Sequence, residues 1–445
     1  MDAQEITKIE EFPKVTDDIR IYGYSPSQNK TAYINFGKIH NTEWCGCRWK
    51  DGDANPEGEP VGDLDMLRSL VDELGLGGYL VTNDHSRKKL SASNHLYLAN
   101  GQKCVLDGTQ GHYQWGWGHA FYYSNWKENG YFYEAVANSP IKGRYNYYIP
   151  IGSRSAAGYA ALNADGTALV SLGTATIPCV NKPVTTLQTL AHKNGDLWFA
   201  SERVMQFITA ALKRIIFHNR NIQAAFNATL TADGLHQGGT GMGYSDSKPW
   251  ENGYLPLNAL VEDGDALELG TFSGDTKIND GTAKTINVSA IPNFFGLKND
   301  YKYLVAMSEN LLINYTDNYP TLYIDDSVGK KLFDLNSIAN HEAFQRAPYN
   351  KEVWAFPKNF NLSHLAFWAS EDGGTDSTYY CDRSYFPNLA SGLRGVLFLG
   401  TADNGSSAGS LYVNGRSGVG DASVYWGAFL CEWAEAFDTK PVFAK

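Results

Sequence analysis

Residues 393–433 read LRGVLFLGTADNGSSAGSLYVNGRSGVGDASVYWGAFLCEW, from Leu393 to Trp433, and the interpretation of the whole chain turns on them. A strand-like run, Gly395 to Gly400, opens the segment, and a second, Val424 to Trp433, closes it. The interior is mostly Gly, Ser, Asn, Asp, Thr, Ala and Tyr. Such a composition cannot pack a core of its own. Laid on a stiff sheet, it presents short polar groups and single aromatics to water. Tyr supplies rigid amphipathic area, and Ser, Gly and Asn adapt their hydrogen bonds. From Gly395 to Tyr425 there is no Lys, Glu, Gln, Met or Trp.

Outward from this segment, composition sets the bounds. The chain has 445 residues, 37 Lys+Arg and 48 Asp+Glu, for a net charge of −11. This length accommodates two or three ordinary domains. An acidic balance argues against a nucleic-acid footprint. No apolar run reaches the roughly 18 residues of a membrane span, so no membrane insertion is expected. Met1-Asp2-Ala3-Gln4-Glu5 lacks the cationic start of a signal peptide.

Periodicity places few helices. Apolar residues recur at helical spacing over Asp63–Leu74, and again over Ser201–Phe226, where Ser201 is the expected N-cap. The stripe Val204, Phe207, Ile208, Ala211, Leu212, Ile215 and Ile216 reads as core, and His218 as a satisfied structural histidine. Short strands are expected at Tyr79–Thr82, Leu96–Leu98, His119–Tyr123, Gly130–Ala137 and Tyr145–Ile149. Gly238–Gly243 reads as a loop, because no strand precedes it and no helix follows. Strands and loops are expected to dominate from 255 onward.

Catalytic and metal patterns are weak. The six cysteines (Cys45, Cys47, Cys104, Cys179, Cys381 and Cys431) read as buried free thiols, since Cys45-Gly46-Cys47 has no matching second pair. Glu262, Asp263, Asp265, Glu268, Glu371 and Asp372 could supply a glycosidase carboxylate pair, but any acidic chain offers such residues. Asp275, Asn279 and Asp280 lack EF-hand spacing. Trp115, Trp117, Trp126, Tyr113, Tyr122 and Tyr123 could form a sugar-stacking platform if exposed, and core aromatics if not. No metal or cofactor is expected.

The pattern Arg394-Gly395…Gly400…Asn404-Gly405…Ala408-Gly409…Tyr412…Trp426-Gly427-Ala428-Phe429…Cys431 resembles the end of C-type-lectin-fold proteins of the formylglycine-generating-enzyme-like branch. Within that branch it looks most like the variable proteins of diversity-generating retroelements and receptor-binding proteins of gut bacteriophages. Phe217–Phe226, Phe295–Asn299 with Leu304–Asn310, and Leu106–Trp117 with Tyr133-Glu134-Ala135 resemble further family elements. Glu309 stands where the family has Gly. In such variable proteins, adenine-directed mutagenesis yields a residue set without Lys, Glu, Gln, Met and Trp, as in Gly395–Tyr425. The related oxidases use two closely spaced C-terminal cysteines, whereas Cys381 and Cys431 lie fifty residues apart, so that chemistry is not expected.

The resemblance implies an α+β protein: a β-rich region over 1–190, then a C-type lectin-like domain over 191–445 with a variable-type surface at 395–426. It implies a non-catalytic display protein on a virion or bacterial cell surface, binding a cell-surface protein or glycan, with homo-oligomerisation as a source of avidity. The residues expected to face the ligand are Leu397, Leu399, Thr401, Asp403, Asn404, Ser406, Ser407, Tyr412, Asn414, Arg416, Asp421, Ser423 and Tyr425. Tyr412 is expected to serve affinity and to be dispensable for stability. A carbohydrate-binding module or an oxidase of this fold is the alternative.

Overall fold

The computed structural model describes residues 44–225 except 175, and residues 292–445 except 302–303, 348–353, 390, 402–403 and 405–406. It also describes the backbones of five strands: Arg20–Ser25, Lys30–Asn35, Gly270–Thr271, Thr276–Asn279 and Thr285–Val288. The glycine cluster at 238–243, the acidic residues at 262–268, and the side chains of Asp275, Asn279 and Asp280 lie outside the described residues.

Strands carry most of the regular structure, so the architecture is β-rich rather than α+β. Among the described residues, Arg203–Phe217 is the sole helix longer than nine residues. The reason is local. Runs such as YFYEAVA at Tyr131–Ala137 are aromatic and β-branched, and fit a pleated, half-buried surface. Asn129-Gly130, both with positive φ, close a two-residue hairpin between Phe121–Glu128 and Tyr131–Ala137. Asp317-Asn318 do the same between Val305–Thr316 and Tyr319–Ile324.

Three large sheets result. The first is antiparallel, in the order Val442–Phe443, Tyr145–Ile149, Phe121–Glu128, Tyr131–Ala137, Trp44–Lys50 and Glu59–Gly62. The second runs Trp198–Ala200, Leu430–Trp433, Gly152–Ser155, His112–Trp117, Gly77–Val81, Arg87–Ser91 and Asn94–Leu98. The third runs Glu342–Arg346, Tyr319–Ile324, Val305–Thr316, Ser391–Phe398, Val413–Asn414 and Ser384–Tyr385, with Trp426–Gly427 paired parallel to the start of Val305–Thr316. Leu430–Trp433 lies between two strands from earlier in the chain, and Val442–Phe443 edges the first sheet. The boundary expected near residue 190 is therefore crossed by sheet hydrogen bonds, and the C-terminal strands complete the N-terminal sheets.

The expected helix over Asp63–Leu74 is two short helices, Leu64–Arg68 and Leu70–Leu74, and Asp63 caps the first through the Asp65 and Met66 amides. The long helix is shorter at both ends than its periodicity suggested. Glu202 is the N-cap, accepting from the Val204 and Met205 amides, while Ser201 Oγ accepts the Phe429 amide instead. The helix stops at Phe217 because His218 turns left-handed (φ 52°). Asn219 and Asn221 then accept the amides two residues on, diverting the backbone into turns. His218 Nε2 has no hydrogen-bond partner among the described residues, contrary to the expectation of a satisfied ring.

This helix is buried all round from Arg203 to Ile215. Its apolar positions join Trp115, Trp117, Tyr123 and Trp433 in the main core. Its charges are each answered. Arg214 makes a bidentate pair with Glu134 (2.7 and 2.8 Å), and Tyr123 donates to the same carboxylate. Lys213 pairs with Asp300. Removing one member of such a pair leaves an uncompensated buried charge.

Candidate functional site

The candidate face is built on the third sheet. Its long strand, Val305–Thr316, slips register against Ser391–Phe398 between Ser308 and Leu312. The bulge sends Glu309 and Asn310 toward the long helix. Asn310 Oδ1 accepts the Arg203 amide and its Nδ2 donates to Glu202, and Glu309 accepts from the Ala200 amide (2.7 Å) and pairs with His192 (2.9 Å). Asn310 thus joins the sheet to the start of the long helix, and Glu309 joins it to Trp198–Ala200 and to His192.

Both faces of this sheet are covered at the end of Ser391–Phe398. Val396 and Phe398 enter the main core, while Leu397, next along the strand, packs with Val305, Met307, Leu312 and Tyr412 in a second cluster. This overturns four expected display residues. Leu397 is 2% exposed, Leu399 0%, Ser407 5% and Tyr412 3%. Alternation along a strand exposes one face only where the sheet has a solvent side, and at Val396–Phe398 both sides are covered. Leu399 ends the strand with φ 78°, buried in the main core. Tyr412 lies against Trp354, with ring centroids 5.2 Å apart. Asp403 and Ser406 lie outside the described residues.

The remaining expected residues form a partly exposed rim. Arg416 and Asp421 are exposed; Thr401, Asn404, Asn414, Ser423 and Tyr425 are half-buried. Most of the short polar groups hold their own turns. Asn404 Oδ1 accepts the Thr401 amide, Asn414 Oδ1 the Arg416 amide, Asp421 Oδ2 the Gly418 amide and Ser423 Oγ the Tyr425 amide. Backbone bonds tie the rim down: the Gly395 amide donates to Ser417, the Val305 amide to Tyr425 and the Asn181 amide to Ser423. Gly409 is forced, since a Cβ there would collide with the Asp382 carboxylate that accepts the Leu411 amide. The Arg416 guanidinium has no partner among the described residues.

Three neighbours of the rim escaped the sequence reading. Trp354 and Tyr385, both half-buried, lie 4.9 Å apart, and the Arg383 guanidinium sits 5.3 Å over Trp354. Tyr385 pairs with Asn414 across the sheet, which brings this aromatic ledge beside the rim. Nothing in the sequence spacing of Trp354 and Asn414 signals their proximity.

The competing sites fare differently. Trp115, Trp117, Tyr113 and Tyr123 are core residues. Trp126 borders a cleft of about 350 Å³ with Trp44, Arg48, Tyr133 and Arg144, but the protein itself occupies its ring. Tyr133 stacks on it at 4.9 Å and 4°, and the Arg144 guanidinium lies over it at 4.8 Å. No open aromatic platform exists there among the named residues. All six cysteines are buried free thiols, and desolvation pushes the Cys381 and Cys431 thiols up. Buried neutral thiols are poor nucleophiles and poor metal ligands. Glu371 is a surface carboxylate held by Lys358 (3.0 Å) and Asn359 (2.7 Å), whose hydrogen bonds keep its pKa low. No described helix is long and apolar enough to cross a membrane.

No protein-family model and no curated protein matches the chain.

Proposed function

We propose that this chain is a ligand-binding display protein of the retroelement variable-protein kind, recognising a protein or glycan on a cell surface without chemistry. The binding face is the rim of Thr401, Asn404, Asn414, Arg416, Asp421, Ser423 and Tyr425, extended by the ledge of Trp354, Tyr385 and Arg383. One observation carries the reading. The short polar side chains of Asn404, Asn414 and Asp421 hold local turns beside a strand whose end, Val396–Phe398, is buried on both faces. Such a face tolerates residue changes, because its backbone is held from below. Trp, Tyr and Arg are the side chains that dominate binding hot spots, so Trp354, Tyr385 and Arg416 carry most of the affinity.

The test is a glycan and host-cell binding screen of wild type against R416A and Y385A, with folding monitored in parallel. Folded variants losing at least tenfold in binding support the face. Unchanged binding by both folded variants moves the site elsewhere.

A further inference from the structure

Away from the rim, three chain segments converge near the start of the long helix. Asp326 follows Tyr319–Ile324, Glu342 begins Glu342–Arg346, and His364 lies in the 3₁₀ turn Ser363–Leu365. One donor atom from each lies within 4.8 Å of the others. The residues come from three separate segments of the chain, so their meeting is a product of the fold.

The cluster is held from behind. Arg203 is buried, and its guanidinium donates to the carbonyls of His364 (2.7 Å), Leu365 (3.0 Å) and Asp325 (2.7 Å), and to Thr439 Oγ1 (3.1 Å). One buried cation thus fixes the backbone on both sides of the cluster. The Thr439 amide also donates to the Asp326 carbonyl. Lys440 pairs with Asp326 Oδ2 and lies 3.5 Å from Glu342, so one ammonium faces two carboxylates. Asp326 Oδ1 is sealed from solvent and has no hydrogen-bond partner among the described residues.

We infer that Asp326, Glu342 and His364 bind one divalent transition-metal ion of the zinc class. Two carboxylates and one imidazole are the donor set for such an ion; the nitrogen donor disfavours calcium and magnesium. Four-coordinate zinc with bonds near 2.1 Å places its donors about 3.4 Å apart. The exposed Glu342 side chain closes that gap by a rotamer change. The ion satisfies the orphaned Asp326 oxygen and displaces Lys440 into solvent. It would pin the C-terminal segment, whose Phe437–Asp438 pairs with Ser327–Val328.

The test is isothermal titration of the full chain with zinc chloride, with calcium chloride as the contrast. Wild type is expected to bind one zinc ion saturably and calcium at least tenfold more weakly. E342Q and H364N are each expected to weaken zinc binding at least tenfold, and K440Q to tighten it severalfold. Asn tolerates the left-handed backbone of His364 (φ 54°), so H364N preserves the turn. No saturable binding by wild type and K440Q overturns the site. Wild-type affinity in folded H364N or E342Q overturns it as well, leaving an adventitious ion only, and equal affinity for calcium overturns the metal class. If H364N does not fold, zinc protection of His364 from diethyl pyrocarbonate in wild type decides: protection supports the site, and equal modification overturns it.

Discussion

At the end of Ser391–Phe398, Val396 and Phe398 enter one hydrophobic cluster and Leu397 enters the other, so these three side chains are packed among residues from distant strands. Beyond residue 413, Asn414, Asp421 and Ser423 spend their hydrogen bonds on amides two or three residues away. The first region stores stability in long-range contacts; the second stores shape in local turns. A substitution in the first opens a cavity, whereas one in the second changes the surface and leaves the framework standing.

The largest expected effect lies at the buried charges of the long helix, whose apolar positions share the main core with Val396 and Phe398. Glu134→Leu strands Arg214 as an unpaired buried guanidinium and is expected to cost about 4 kcal/mol in urea unfolding. Retention of wild-type stability would show that Arg214 finds other partners. Tyr412→Ala comes next, at about 3 kcal/mol, because it empties a site shared with Trp354 and Leu397. A loss of binding without loss of stability in this variant would return Tyr412 to the display face.

A pH experiment sharpens the comparison within the second sheet. His112 is neutral and doubly bonded: its Nε2 pairs with Asn83 Oδ1 at 2.8 Å and its Nδ1 accepts the Ser171 amide at 3.4 Å. Desolvation lowers its pKa from 6.5 to about 4. Between those values the unfolded chain takes up a proton that the native chain refuses. Stability is therefore full above pH 6.5 and falls as the pH drops toward 4. At pH 5 the loss from this group is about 2 kcal/mol. H112Q is expected to shrink the difference in unfolding free energy between pH 7 and pH 5 by that amount; an unchanged difference would clear His112 of the role. His95, lowered to about 3 by burial, supplies part of the remaining slope.

The smallest effect belongs to the rim. Arg416→Ala is expected to change stability by less than about 0.5 kcal/mol, since the side chain is exposed.

Parts of this contrast were legible in the sequence. The apolar stripe from Val204 to Ile215 and the strand Tyr145–Ile149 appear where periodicity put them. The cysteines are buried thiols, as their sparse spacing suggested. The helix end at Phe217 was missed because an apolar stripe does not reveal that Asn219 and Asn221 divert the backbone. The burial of Leu397 and Tyr412 was missed for a different reason. Gly- and Ser-rich composition describes a segment, whereas burial depends on what lies across the sheet, and the partners Met307, Phe333 and Trp354 come from far along the chain. The same blindness to long-range meeting hid the Trp354–Tyr385 ledge and the grouping of Asp326, Glu342 and His364.

The most direct measurement pairs urea unfolding with host-cell binding for the triple variant T401A/R416A/S423A. The expected result is a stability within about 1 kcal/mol of wild type, as for independent sites on a partly exposed rim, together with at least a tenfold loss of binding. A variant that unfolds, or one that stays folded and binds like wild type, would contradict the claim that a buried framework carries a tolerant recognition face.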